Sequence, residues 1–160
     1  MKRVIFTVLA LGGLLAPAIS EASTTVSTPL LVTATVVAFC TITSSPVAFG
    51  NYTGAALTGS GGLSVTCTSG TPYTLDLGIG NNYVAPNRRL VFSVTNFLNY
   101  NLYTNVGDTI IWGSGVTGGT TEAGTGTGLP QAYTVYGLIP ASQAPAPGAY
   151  TDTVTASVTF

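Results

Sequence analysis

Histidine is absent from all 160 residues. That removes the commonest general base, the Ser-His-Asp triad and most zinc sites. Charge is scarce too: four Lys and Arg stand against five Asp and Glu. Lys2 and Arg3 open the chain, so Arg88 and Arg89 are the only cations beyond the N-terminus. Two cations argue against nucleic-acid binding, which rests on many Lys/Arg–phosphate contacts. They argue equally against a polybasic role at a membrane surface. Asp76, Asp108, Glu122 and Asp152 are widely spaced. Two of them could meet as a glycosidase-type pair, but charged residues are usually exposed, and solvated positions are expected. "GTGTG" lacks the Lys and the following helix of a phosphate loop. No catalytic, cofactor-binding or metal-binding residue is expected, and no cofactor.

Long hydrophobic runs are missing after the first turn of sequence. "MKRVIFTVLALGGLLAPAISEAS" has a basic start, an apolar run to about Ala16, the helix breaker Pro17, and small residues Ser20 and Ala22. This is the three-part form of a secretory signal peptide. The apolar run is short for a transmembrane helix, which needs about 20 such residues. Cleavage is expected after Ala22, so residues 1–22 are read as the leader. The remainder suits one domain with a real core. With 46% hydrophobic and 6% charged residues, either its surface is mostly Thr, Ser and Gly or other subunits cover part of it. Only two cysteines are present, Cys40 and Cys67. An even pair in an exported chain suggests a disulfide, with two free buried thiols as the alternative.

What is present is alternation. No stretch beyond the leader reads as a helix. A long candidate strand lies within Ser23–Phe39, with Leu30, Val32, Ala34 and Val36 on one face. A short strand is expected around Pro46–Phe49, and others carry Leu63, Val65 and Cys67, then Tyr73, Leu75, Leu77 and Ile79. Leu90–Val94 and Leu98–Tyr103, as two strands or one bent near Asn96, then Thr109–Trp112 and Tyr133–Ile139 follow. "GSGVTGGTTEAGTGTGLP" is an expected exposed hairpin or loop. "PASQAPAPGAY" is a Pro-rich connector. The sequence stops on "AYTDTVTASVTF", where Val154, Ala156, Val158 and Phe160 alternate with Thr and Ser. That period of two is a strand with one apolar face. About eight short strands separated by turns indicate an all-β sandwich. Aromatics such as Phe49, Tyr52, Tyr100 and Trp112 fill such a core more often than they form a sugar-binding platform.

Several stretches resemble one family. "FCTITSSPVAFGNY", "GGLSVTCTSGTPYTLDLGIG", "LNYNLYTN", "TIIWGSG", "YTVYGLIPA" and "PGAYTDTVTASVTF" are similar, in order, to the spore coat U domain, which includes subunits of archaic, Csu-type chaperone–usher pili. One departure is Leu138, where many relatives carry a basic residue. The resemblance supports a Cys40–Cys67 disulfide. It implies an incomplete immunoglobulin-like sandwich, one strand short, completed by donor-strand exchange. It further implies a periplasmic chaperone that lends the strand, an outer-membrane usher, and neighbouring pilin subunits whose N-terminal extensions replace it. Such strand addition uses an exposed sheet edge.

On this reading residues 23–38 form a donor-strand extension and 39–160 the pilin domain. Leu30, Val32, Ala34 and Val36 are the expected inserting residues. The same run could instead be the first strand of the chain's own sandwich; the resemblance favours the donor role. Val154, Ala156, Val158 and Phe160 are expected to face the core from the strand bordering the gap. The function implied is a structural subunit of a surface pilus, exported through the periplasm to the cell surface, supporting adhesion and biofilm formation. The alternatives are a secreted coat or carbohydrate-binding β-sandwich, or a small outer-membrane β-barrel, whose strands are about ten residues long.

Overall fold

The computed structural model describes residues 22–160, apart from the side chain of Val116. The expected leader therefore lies outside the described residues except for Ala22. The chain divides into two units, Met1–Ala34 and Thr35–Phe160. In the first, residues 22–34 are exposed and carry no regular secondary structure. The long strand expected within Ser23–Phe39 is not formed: no sheet pairs this run, and an unpaired segment gains no ladder hydrogen bonds to fix it.

The second unit is all-β, with one short 3-10 turn at Gly115–Thr117. Its strands are β1 (Cys40–Ala48), β2 (Leu57–Cys67), β3 (Pro72–Leu77), β4 (Arg88–Ser93), β5 (Asn96–Tyr103), β6 (Glu122–Thr125), β7 (Gln131–Ile139) and β8 (Ala156–Thr159). They form two sheets, ordered β1-β2-β7-β5-β4 and β6-β3-β8, with antiparallel pairing throughout. Each sheet ends on two edge strands, with β4 bridged at Val91 only by Thr151, so neither closes into a barrel, in which every strand is paired on both sides.

Alternation decides what each strand buries. Leu63, Val65 and Cys67 of β2, Tyr73, Leu75 and Leu77 of β3, and Val135 and Ile139 of β7 are buried on the inner faces. Trp112 lies at 1% exposure among them, edge-on to Tyr133 with ring centroids 6.3 Å apart. The Tyr73 and Tyr133 hydroxyls meet at 2.7 Å. Burial, then this bond, pushes the Tyr133 pKa up to about 12. The first strand is longer than the sequence suggests: it begins at Cys40, not at Pro46, and a register shift between Ser45 and Ala48 hides its periodicity. Gly61 permits that shift, since a Cβ there would stand 2.7 Å from the Pro46 carbonyl oxygen. Gly137 likewise makes room for the Phe49 ring, whose Cζ would lie 2.7 Å from an added Cβ.

Cys40 and Cys67 are directly opposite on β1 and β2 and are joined by a disulfide. The bond staples an edge strand to the sheet. Its sequence separation of 27 residues corresponds to about 3.5 kcal/mol in the chain-entropy model. Replacing both cysteines by Ser should lower unfolding stability by about that amount in urea titrations. A change below about 1 kcal/mol would show that β1 is held by other contacts.

Candidate functional site

Two free edges lie beside each other. β1 ends the five-stranded sheet and β8 ends the three-stranded sheet, and no ladder joins them. Between them runs an open groove. Its first chamber, about 560 Å³, is floored by Leu63, Leu77, Tyr100, Leu102 and Val135. Ile42–Val47 forms one wall, and Thr153, Val154 and Ala156 form the other. A second chamber, about 930 Å³, continues beneath the Pro-rich connector at Pro145–Tyr150. The chambers share Val47, Phe49, Leu90 and Asp152.

β8 presents half of its backbone to this groove. Gly78 N–H donates to the Thr155 carbonyl at 2.8 Å, so Thr155 points its polar groups toward β3. Antiparallel alternation turns Ser157 and Thr159 the same way and Ala156 and Val158 the other way. The side chains of Val154, Ala156 and Val158 are half-buried against the core, while Thr153, Thr155, Ser157 and Thr159 are exposed. Phe160 departs from expectation. It stands one residue past β8 and is 56% exposed, because no strand beyond the sheet end supplies a surface for it. The expected donor residues belong to no strand: Leu30, Val32 and Val36 are 82–86% exposed, and Ala34 is exposed as well.

Hydrogen bonds converge on Asp152, which lines both chambers, and on Asp76 of β3. The Tyr100 hydroxyl donates to Asp152 at 2.8 Å, and the Asn81 N–H and the Asn82 side-chain amide donate to the same carboxylate. Burial, then the bond to Asp152, raises the Tyr100 pKa well above the ordinary phenol value, which keeps the donor protonated. Asp76 accepts from the Ser114 N–H at 2.9 Å and from its hydroxyl. Both acids are half-buried hydrogen-bond acceptors; Asp76 holds the outward strand position expected from its parity against Leu75 and Leu77.

Arg88 is the residue that sequence reasoning missed. It is fully buried at the start of β4. Its Nε donates to the Gly78 carbonyl at 2.9 Å, and its Nη2 to the Leu77, Gly78 and Trp112 carbonyls at 3.0, 2.7 and 2.8 Å. Desolvation lowers its pKa, opposed by Tyr100, Asp152, Asp76 and Tyr83. A signal existed: Arg88 shares the parity of Leu90, which packs on the core. Its neighbour Arg89 has the opposite parity and lies over the Phe97 ring at 4.0 Å.

The profile of the Spore Coat Protein U domain matches residues 26–157. The chain belongs to that family. "Protein U" of Myxococcus xanthus is 39% identical to this spore coat U domain protein over 125 residues, which are 74% of this chain and 69% of that one. Among solved structures, the CsuC–CsuE chaperone–tip adhesion subunit pre-assembly complex from archaic chaperone–usher Csu pili of Acinetobacter baumannii is similar with a TM-score of 0.59 and 29% identity. That match covers 79% of this chain and 40% of the Csu chain, so the spore coat U domain spans less than half of its length. The residues that carry the resemblance in sequence and the sandwich that carries it in space thus point to one family. Within it, the present fold is an incomplete immunoglobulin-like sandwich with a free edge on each side of one groove.

Proposed function

We propose that this spore coat U domain is a non-enzymatic structural subunit of a surface pilus, assembled by a chaperone–usher pathway through donor-strand complementation. The single observation that carries the reading is the apolar groove between β1 and β8, open along an unpaired strand edge. An edge of unpaired N–H and C=O groups over apolar side chains invites pairing with another chain. The exposed run Leu30–Val37 has the alternation such a groove accepts. A periplasmic chaperone fills the groove first, an outer-membrane usher directs exchange, and the neighbouring subunit's Leu30, Val32, Ala34 and Val36 then take the chaperone's place. Each buried apolar side chain would contribute about 1–3 kcal/mol, less for Ala34. The route runs through the periplasm to the cell surface, where such fibres would support adhesion and biofilm formation.

Deleting residues 23–37 removes no strand of the sandwich. The truncated subunit should be exported and folded but should yield no fibres by electron microscopy of the cell surface. Normal fibres built from it would end the donor-strand reading. The family's description, Spore Coat Protein U domain, favours a second reading, a secreted coat component. It would be supported by a monomer that deposits on a surface layer without polymerising, whether or not residues 23–37 are present.

A further inference from the structure

We infer that the outer face of the five-stranded sheet carries a binding strip for an uncharged polysaccharide, centred on Tyr103 and Tyr136. Alternation puts the two tyrosines there. Leu98, Tyr100 and Leu102 of β5 and Val135 and Ile139 of β7 are buried on the inner face. Tyr103 and Tyr136 have the opposite parity and point outward. The β5–β7 register sets them directly opposite each other. Ile111 stands opposite Tyr103 on its other side, and Ser60 of β2 stands opposite Tyr136. Opposed residues of antiparallel strands share a face, with Cβ atoms about 5 Å apart. The row Ile111, Tyr103, Tyr136, Ser60 crosses three strand spacings, about 14 Å. Leu138 lies two residues along β7 from Tyr136 on the same face, with Thr58 of β2 opposite it. Ile111, Tyr103, Tyr136 and Leu138 are half-buried, and Thr58 and Ser60 are exposed.

The chemistry of the strip selects its occupant. A pyranose ring presents C–H bonds on its faces and hydroxyls around its rim. Tyrosine offers an apolar ring for the face and a hydroxyl for the rim, and Thr58 and Ser60 add hydroxyls along one side. A second copy of the chain fits less well. Even a fully buried aromatic covers only about 150–250 Å², so four half-buried side chains fall short of the roughly 800 Å² per partner in a standard protein interface. Charge argues against ionic polymers. Arg89 shares the face, but the Phe97 ring at 4.0 Å and the Asn82 carbonyl at 2.8 Å already engage it. Burial, then the charge of Asp108, raises the Tyr103 pKa, which places that acid beside the strip. An acidic chain would meet Asp108 unfavourably, and a basic one would gain a single screened contact. Neither tyrosine lines the groove between β1 and β8, so the site stands whether or not strand exchange occurs.

The test is co-sedimentation of the purified, disulfide-intact chain with insoluble cellulose and with insoluble chitin. The chain should be retained by at least one of them, equally in low and high salt. Replacing both tyrosines, Tyr103→Ala with Tyr136→Ala, should cut retention at least tenfold. Val94→Ala removes an apolar side chain that is 90% exposed at the β4–β5 turn, and should leave retention unchanged. Ser60→Tyr changes an exposed position and extends the row by one ring, so retention should rise at least threefold. This variant decides the matter if the double replacement fails to fold. Retention by neither polysaccharide would overturn the proposal. So would retention that falls in high salt, that survives loss of both tyrosines in a folded chain, that falls equally in Val94→Ala, or that is unchanged in Ser60→Tyr. A dimer in light scattering that the tyrosine replacements dissolve would assign the strip to a second copy instead.

Discussion

Ala156→Pro should leave a folded subunit that no longer enters fibres, while Ser157→Pro, one residue along, should cripple the fold itself. The comparison turns on where their backbone groups point. Thr155 accepts from Gly78 on β3, and Ser157 is paired with Asp76 on the same strand, so alternation directs the Ser157 N–H into the ladder and the Ala156 N–H toward the open edge. Proline removes the N–H of its own residue and little else when the site is an edge. At 156 no intramolecular ladder bond is lost, and the small side chain is only half-buried. The loss falls on the strand that would insert, and fibre yield should drop at least tenfold. At 157 the lost bond is internal and its β3 partner is left unsatisfied, which should cost about 2 kcal/mol of subunit stability. The Ser157 side chain is exposed, so packing does not confuse the comparison. Fibre yields and urea midpoints of the two variants check this; a fold equally weakened by both substitutions, or normal fibres from Ala156→Pro, would refute the edge assignment.

Arg88→Met should lower unfolding stability by about 3 kcal/mol at an unchanged denaturant m-value. The guanidinium serves the Leu77, Gly78 and Trp112 carbonyls at once, and each buried acceptor left without a donor costs about 1–3 kcal/mol. The sum is offset in part because methionine avoids the desolvation cost of a buried charge. Arg88→Lys should recover only part of the loss, since an ammonium is a compact charge without the planar fork that spans three oxygens. Chemical denaturation of the disulfide-intact variants is the measurement. A loss below about 1 kcal/mol for Arg88→Met would mean that other contacts hold the end of β3 against β4. Gly113 adds a constraint at the same place, because a Cβ there would meet Arg88 Nη2 at 2.8 Å and the Leu77 carbonyl oxygen at 2.6 Å.

Parity was the most legible property. The inward sets Leu63, Val65 and Cys67, and Tyr73, Leu75 and Leu77, are buried as their alternation requires. The Leu90–Val94 and Leu98–Tyr103 runs became β4 and β5, with the chain turning at Val94 and Thr95. Alternation is a local consequence of a pleated backbone, so ten residues suffice to display it. Alternation does not report pairing: the run before Cys40 alternates as cleanly as any strand yet joins no sheet of its own chain, and β1 carries a register shift that interrupts its period. "GTTEAGTGTG" reads as hairpin or loop without choosing between them, and Glu122–Thr125 pairs with β3. Glycine-rich sequence gives no apolar signal there, and the neighbouring strand decides the pairing.

By itself the sequence determined the class of structure: all-β, nearly uncharged, without histidine, with one cysteine pair and an apolar face on each strand. Tertiary structure alone decided which edges stay free and which polar groups are buried. β8 meets β3 across about 80 residues of chain, and the cage around Arg88 is assembled from the end of β3, the start of β4 and Trp112. Such pairings are set by the competition among all strands for partners and by the sheet that each one completes. Alternation within one strand is blind to that competition, because it records which face is apolar and not whether a neighbour stands beside it.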